Sequence, residues 1–418
     1  MARIGWHSLR FGGLGRGTVQ TTGGLLGRAL LQAAYLVVIS RWLGSAGYGL
    51  FAGSAAAAIL LSPLAGWGMG QVYADRQARP PHGSAGLWAR VASLVLRIGL
   101  VLAAVLVVVT SVAMAVRIDV ADMALIALAE LVALPLANVA SMALVAERRS
   151  DLAAITVSAV PAARLAGALC LLAAGAAPSV HALALTHCAG SLLAAAAVAV
   201  LARRVLAAPA IGGASVSRRE LLHEGAPYAA TALAGQGYAE IDKVLVLQLA
   251  GAGAAGTYTA AFRVVSVLLI PITALVNNSL PRLFAAERDG AGTHLLRRVT
   301  LAAVAYGLAA GLFALAIAPL VPLVFGADFA ASAHYVMLLG AWVPLVALHQ
   351  SGAAALVAAG GKSTRLGIEV AGLGAVVALD LALLPRWGVA GAISALLACE
   401  ALLAMACWIA LLRRRRAP

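Results

Sequence analysis

The chain has 418 residues, 63% of them hydrophobic and 11% charged, and a formal net charge of +14. Soluble domains run at about 45–50% apolar and about 25% charged, so a soluble globular protein is excluded and an all-α polytopic membrane protein is predicted. A nucleic-acid partner is not predicted, because the positions of the basic residues account for the charge.

A spanning helix needs about 20 mainly apolar residues. That ruler marks about twelve spans, at 18–41, 47–73, 88–114, 121–145, 152–175, 181–202, 223–250, 256–281, 298–322, 334–359, 366–385 and 389–412. With the N-terminus in the cytoplasm, 22 of the 30 Lys and Arg fall on inside segments, including Arg203, Arg204, Arg218, Arg219 and the run Arg413 to Arg416. Only Arg41, Arg117 and Arg386 fall outside, and Arg28, Arg97, Arg164, Lys243 and Arg263 lie within spans. This bias predicts both termini in the cytoplasm and an even number of spans. The basic inner face would meet anionic headgroups, making membrane lipids the partner of most of the charge.

At the start of the chain, Gly12-Gly13-Leu-Gly15-Arg-Gly17 leads into a span rather than a strand–helix unit, so it is no dinucleotide fingerprint. No cleaved signal peptide is predicted, because the first apolar run is of spanning length with Arg28 inside it. Arg28 shares a helical face with Gln32 and Tyr35. It reads either as an arginine snorkelling to the inner surface or as an anion-binding group in a central cavity, where its donor fork suits diphosphate oxygens. Glu130 and Arg164, in the fourth and fifth spans, are spaced to pair across helices.

The longest inside connection, Arg203–His223, holds Pro209 and a Gly-Gly-Ala-Ser run, as a linker does. It divides the chain into a first lobe at 1–202, a linker at 203–222 and a second lobe at 223–418. Gly44 and Gly251, Pro178 and Pro385, and Arg90 and Arg297 are each 207 positions apart. The shared offset predicts two parallel six-helix repeats about an axis along the membrane normal.

The stretch Gly235 to Pro271 is the most informative, with Gln236, Glu240, Asp242, Lys243 and Arg263 in a lipid-compatible context. Each ionisable group at bilayer depth costs about 2.5–3.5 kcal/mol on insertion scales, so the group asks for a reason. Gln236, Glu240, Lys243 and Leu247 share one helical stripe, which should face protein or water, while Asp242 points with Tyr238 and Val246. Glu240 and Lys243 can pair with each other. Alternatively, Lys243 binds anionic substrate and Glu240 or Asp242 exchanges a proton or sodium ion, with Arg263 as a partner of Asp242 or a further substrate cation. Asp380 and Glu400 receive no role.

Gly361-Lys362-Ser363 is no P-loop, since the earlier glycine it requires is Leu356. Cys170, Cys188, Cys399 and Cys407 lie in apolar runs without metal spacing and read as small hydrophobes. No nucleophile–base set, metal site or ATP site is evident, so the chain reads as a non-enzyme without cofactor beyond a coupling H+ or Na+.

The pattern Asp242-Lys243 … Leu249-Ala250-Gly251 … Gly256-Thr257-Tyr258-Thr259-Ala260-Ala261-Phe262-Arg263 resembles the start of the second half of polysaccharide (Wzx-type) flippases. These belong to the multidrug/oligosaccharidyl-lipid/polysaccharide (MOP) exporter superfamily. Ser40-Arg41-Trp42-Leu43-Gly44 … Gly47-Tyr48-Gly49-Leu50-Phe51 is similar to the family's first hairpin, and Phe325-Gly326 … Phe329 and Pro385-Arg386-Trp387-Gly388 to its late periplasmic turns. The resemblance implies a two-lobed, MATE-like protein of the bacterial inner membrane that flips an undecaprenyl-diphosphate-linked oligosaccharide to the periplasmic leaflet. It would serve O-antigen (lipopolysaccharide), capsule or exopolysaccharide biosynthesis, beside a polysaccharide polymerase and a chain-length regulator. On that reading Arg28, Gln32, Gln236, Lys243 and Arg263 contact substrate, and Glu240 and Asp242 carry the coupling ion. The rival readings are a cation-coupled multidrug exporter of the same superfamily, a lipid-linked peptidoglycan-precursor flippase, which usually has two further spans, and a non-transporting scaffold for polysaccharide assembly.

Overall fold

The computed structural model of the chain describes residues 13–78, 84–113, 115–116, 118–206, 217–288 and 292–416. Arg3, Arg10, Arg79, Arg117 and the middle of the predicted linker, 207–216 with Pro209, lie outside them. The described residues form helices and short connections, with no strand among them.

The first half of the chain opens with α1 (Gly13–Gly66), which would be about 80 Å long if straight, more than twice the hydrocarbon core. It is not straight. Gly44 interrupts it at φ 67°, ψ 178°, a backbone region open essentially only to glycine. Two arms of spanning length result, one on either side of the bend. Then come α2 (Met69–Gln77), α3 (Ser84–Ala113) and α4 (Val120–Ala127). α4 runs through a π-helical turn, Leu128–Ala133, into α5 (Leu134–Ala146). Pro135 has no N–H to give the Leu131 carbonyl, so the regular ladder fails there. Gly99 of α3 packs into the gap so closely that a Cβ on it would lie 2.2 Å from that carbonyl oxygen. α6 (Ser150–Ala173) and α7 (Val180–Val205) complete this half.

The second half holds α8 (Arg218–Ala250), α9 (Ala252–Val267), α10 (Ile270–Arg288), α11 (Gly292–Ile317), α12 (Val321–Phe325), α13 (Ala330–Gly340), α14 (Trp342–Ala358), α15 (Lys362–Trp387) and α16 (Val389–Arg416). Gly251, between α8 and α9, adopts φ 88°, ψ 173°, the same unusual geometry as Gly44. The proline match at the same offset is looser. Pro178 lies in the link before α7, whereas Pro385 is inside the last turn of α15, and the chain turns only at Gly388.

Among the described residues, eight segments can cross a membrane by length and composition, or ten if the bent pairs α9–α10 (45°) and α13–α14 (41°) each make one span. The sequence expectation of twelve exceeds this for two reasons. The stretch Leu26–Gln77 is one continuous 52-residue segment despite its bend, and α8, with its internal charges, is not among the apolar segments.

One end of the bundle, the glycine end, gathers Gly44, Gly251 and Gly326; the other, the arginine end, gathers Glu147, Glu287 and the α16 terminus. α1 packs against α6 in its own half and against α8 and α9 in the other. At the glycine end this contact is backbone on backbone: a Cβ on Gly49 would lie 1.8 Å from the Ala252 oxygen, and one on Gly256 1.9 Å from the Ser45 oxygen. Arg41 adds a clasp, its Nε donating to the Val324 carbonyl at 2.8 Å and its Nη2 to the Leu323 carbonyl at 2.5 Å. Gln248 pairs with both backbone groups of Val116, accepting at 3.0 Å and donating at 3.2 Å. At the arginine end the start of α8 docks on α2, with Arg76 bridging Glu220 at 2.7 Å and Glu224 at 2.8 Å.

Candidate functional site

Two clusters of acidic and basic side chains lie inside the helices, about 12–17 Å along them from the glycine end, near the middle of a bilayer. In the first half, Glu130 sits on the π-helical turn and is 1% exposed. Arg164 of α6 reaches it at 3.0 Å, the pairing that the sequence spacing anticipates. His187 of α7 joins, its Nε2 2.9 Å from the same carboxylate oxygen and its Nδ1 2.8 Å from the Tyr35 hydroxyl of α1. Arg164 Nε donates to Ser191 at 2.8 Å, and Ser191 to the His187 carbonyl at 2.6 Å. Phe51 stands edge-on to the His187 ring, 5.1 Å between centroids. The cluster therefore joins α1, the π turn, α6 and α7. Its second oxygen, Glu130 Oε2, and Arg164 Nη2 have no hydrogen-bond partner among the described residues.

Arg28 lies two turns from Tyr35 toward the arginine end, half-buried, within electrostatic range of Arg164 and Glu130. It makes no ion pair or hydrogen bond among the described residues. Gln32 on the same face is exposed. The first half thus presents Arg28, half-buried and uncommitted among the described residues, beside the Glu130–Arg164 pair.

The second-half cluster differs from the sequence expectation in its pairing. Lys243 is fully buried, and its ammonium contacts Asp242 Oδ1 at 3.0 Å, donates to the Ala239 carbonyl and lies 3.4 Å over the Phe262 ring. Glu240 is its more distant neighbour at 4.0 Å and pairs instead with Arg263, at 3.2 and 3.3 Å. Gln236 donates weakly to Glu240 at 3.5 Å, and the Tyr258 hydroxyl donates to Asp242. So Arg263 is the partner of Glu240, not of Asp242, and Lys243 is enclosed rather than presented to a cavity. The reason is the length of the lysine stem, which lets the ammonium curl back over its own turn and onto an aromatic face. Of the two cations only Arg263 is reachable, with 35% of its side chain exposed.

Sequence reasoning gave Asp380 and Glu400 no role and did not single out His349. Asp380 of α15 has neither carboxyl oxygen partnered among the described residues, an arrangement that burial tolerates only with a proton, an ion or a water. Glu400 of α16 accepts from Tyr238 at 2.7 Å, from Trp342 at 3.2 Å and meets His349 at 2.6 Å. The two carboxyls did carry a signal, since an acidic residue inside an apolar span asks for a partner.

What the geometry defines is a helical membrane protein with charge sequestered at mid-depth and its two halves joined along α1, and the solved structures it resembles are transporters. An inward-facing multidrug resistance MATE family transporter of the MOP superfamily superposes with a TM-score of 0.72 at 14% identity, covering 94% of this chain and 98% of the other. A MOP superfamily transporter from Pyrococcus furiosus, described as having a binding pocket of reversed polarity, gives 0.64 at 16% identity, covering 96% and 95%. The MATE multidrug transporter DinF-BH, in a ligand complex, gives 0.63 at 15%, covering 99% and 97%. The sequence matches the family model "Polysaccharide biosynthesis protein" over residues 14–286, well over half of the chain, and the protein belongs to that family. No protein of curated function matches the sequence.

Proposed function

We propose that this MOP-type transporter flips a lipid-linked oligosaccharide diphosphate from the cytoplasmic to the periplasmic leaflet of a bacterial inner membrane, by alternating access between two six-helix lobes. The observation that carries this reading is Arg28, half-buried and uncommitted among the described residues, in a member of a polysaccharide biosynthesis family. A diphosphate head needs charge-assisted hydrogen bonds to replace its hydration, and a guanidinium supplies them in a two-pronged geometry. Arg263, half open and tethered to Glu240, is the second cation on offer. Gln32 and Gln236 supply neutral donors to sugar or phosphate oxygens. Lys243, being enclosed, acts on substrate only indirectly, by holding Asp242 in place.

The twelve-span topology belongs to this proposal, with α1 crossing twice and α8 once despite its polar centre. So does ion coupling: Asp242 and Glu240 each face a cation that could be exchanged for a proton or Na+ during the cycle. A polymerase and a chain-length regulator would act on the flipped product. The test is the leaflet position of the lipid-linked oligosaccharide in cells lacking the protein. Accumulation on the cytoplasmic leaflet, reversed by the intact gene, supports the reading. Normal leaflet distribution together with lost extrusion of a cationic dye would instead favour multidrug export, to which the structural likeness also points.

A further inference from the structure

Glu400, His349 and Glu369 form a chain that the transport reading has not used. Glu400 is buried at the centre of α8, α14 and α16, and His349 Nδ1 is 2.6 Å from its Oε1. The other ring nitrogen, Nε2, has no hydrogen-bond partner among the described residues, although His349 is only 7% exposed. It points to Glu369 Oε1 of α15, 3.7 Å away. Glu369 is 21% exposed and pairs at 3.3 Å with Arg365, itself 45% exposed, toward the arginine end. One imidazole therefore stands between a sealed carboxyl and a partly exposed one near the arginine end of α15.

The inner end of the chain meets the buried cluster. Tyr238, which donates to Glu400, lies one turn of α8 before Asp242 and on the same face. Asp380, with both oxygens unpartnered among the described residues, lies eleven residues beyond Glu369 on the same face of α15, within electrostatic range of Asp242 and Lys243. The polar groups that face Glu400 and His349 are Tyr238 from α8, Trp342 from α14, Glu369 from α15 and Cys399 and Cys407 from α16.

We propose that Glu400, His349 and Glu369 relay protons between the buried carboxyls of the second half and the arginine end of the protein. The inference rests on the ion-coupling part of the reading above and selects the proton over sodium. In one step Glu400 Oε1 gives its proton to His349 Nδ1 as Nε2 releases its own to Glu369 Oε1, directly after a small side-chain rotation or through one water. Charge is conserved: Glu400 becomes a carboxylate, Glu369 a carboxylic acid, and the imidazole changes tautomer. A flip of the ring resets it. Histidine suits the role because one ring nitrogen can accept a proton while the other releases one.

The test needs no transported substrate, so it stands or fails independently of the flippase reading. The purified protein in lipid nanodiscs is subjected to a pH jump, and the carboxyl C=O stretch is followed by time-resolved infrared spectroscopy, with Glu400→Gln used to assign the Glu400 band. His349→Gln keeps a hydrogen bond to Glu400 but cannot relay, and it should slow that band by about tenfold or more. Added imidazole should restore the rate. An unchanged rate in His349→Gln, a slowing that imidazole does not relieve, or no Glu400-dependent band at any accessible pH would each overturn the relay.

Discussion

Glu130 shows how a single acidic residue is accommodated at membrane depth. Its carboxylate is shared by Arg164 and His187, and Tyr35 fixes the far side of the imidazole. Removing one partner leaves an uncompensated buried charge, which typically costs about 3–5 kcal/mol, while replacing both by apolar residues is often neutral. Glu130→Gln and Arg164→Met should therefore each lower the thermal unfolding midpoint in detergent, and the double change Glu130→Leu with Arg164→Met should recover most of the loss. Equal loss in the double variant would show that the pair does more than neutralise itself. The Glu130–Arg164 pairing was legible in the sequence because both residues interrupt apolar spans. The roles of His187 and His349 were not, since a histidine in an apolar helix looks the same whether it is packed or bonded. The Lys243–Asp242 pairing was hidden for another reason. Adjacent residues point about 100° apart, and only the flexible lysine stem brings them together.

At the scale of the element, the seam between α1 and α8–α9 depends on glycines that let backbones touch, as small residues do in membrane helix pairs. Gly49 and Gly256 have no room for a Cβ, and a Cβ on Gly53 would lie 2.8 Å from the Leu247 side chain. Gly253, two residues into α9, faces open space. Gly49→Ala should destabilise by about 1–3 kcal/mol through overpacking, whereas Gly253→Ala should be neutral or mildly stabilising. Parallel thermal melts of the two variants check this, and equal midpoints would contradict the seam. Most helices were readable from apolar run length alone, and the glycine motifs marked the bends at Gly44 and Gly251. The π turn was not readable as such, although Pro135 in the middle of an apolar run was its cue. Nor could run length show that α8 owes its place to packing against α1 and α15 rather than to lipid.

For the whole molecule, the charge bias predicts that reporters fused after Pro418 and within Arg203–His223 both signal the cytoplasm. A periplasmic signal from either would contradict twelve spans. If Glu240 and Asp242 together carry the coupling ion, Glu240→Gln with Asp242→Asn should abolish the dependence of transport on the ion gradient, and gradient-dependent transport in that variant would refute the assignment. The central claim, however, is that a diphosphate passes Arg28. The most direct measurement is the amount of lipid-linked oligosaccharide held on the cytoplasmic leaflet in cells expressing Arg28→Lys or Arg28→Ala at normal abundance. The account predicts accumulation with lysine, because a point charge replaces the two-pronged fork, and greater accumulation with alanine. Normal leaflet distribution in Arg28→Ala would contradict it.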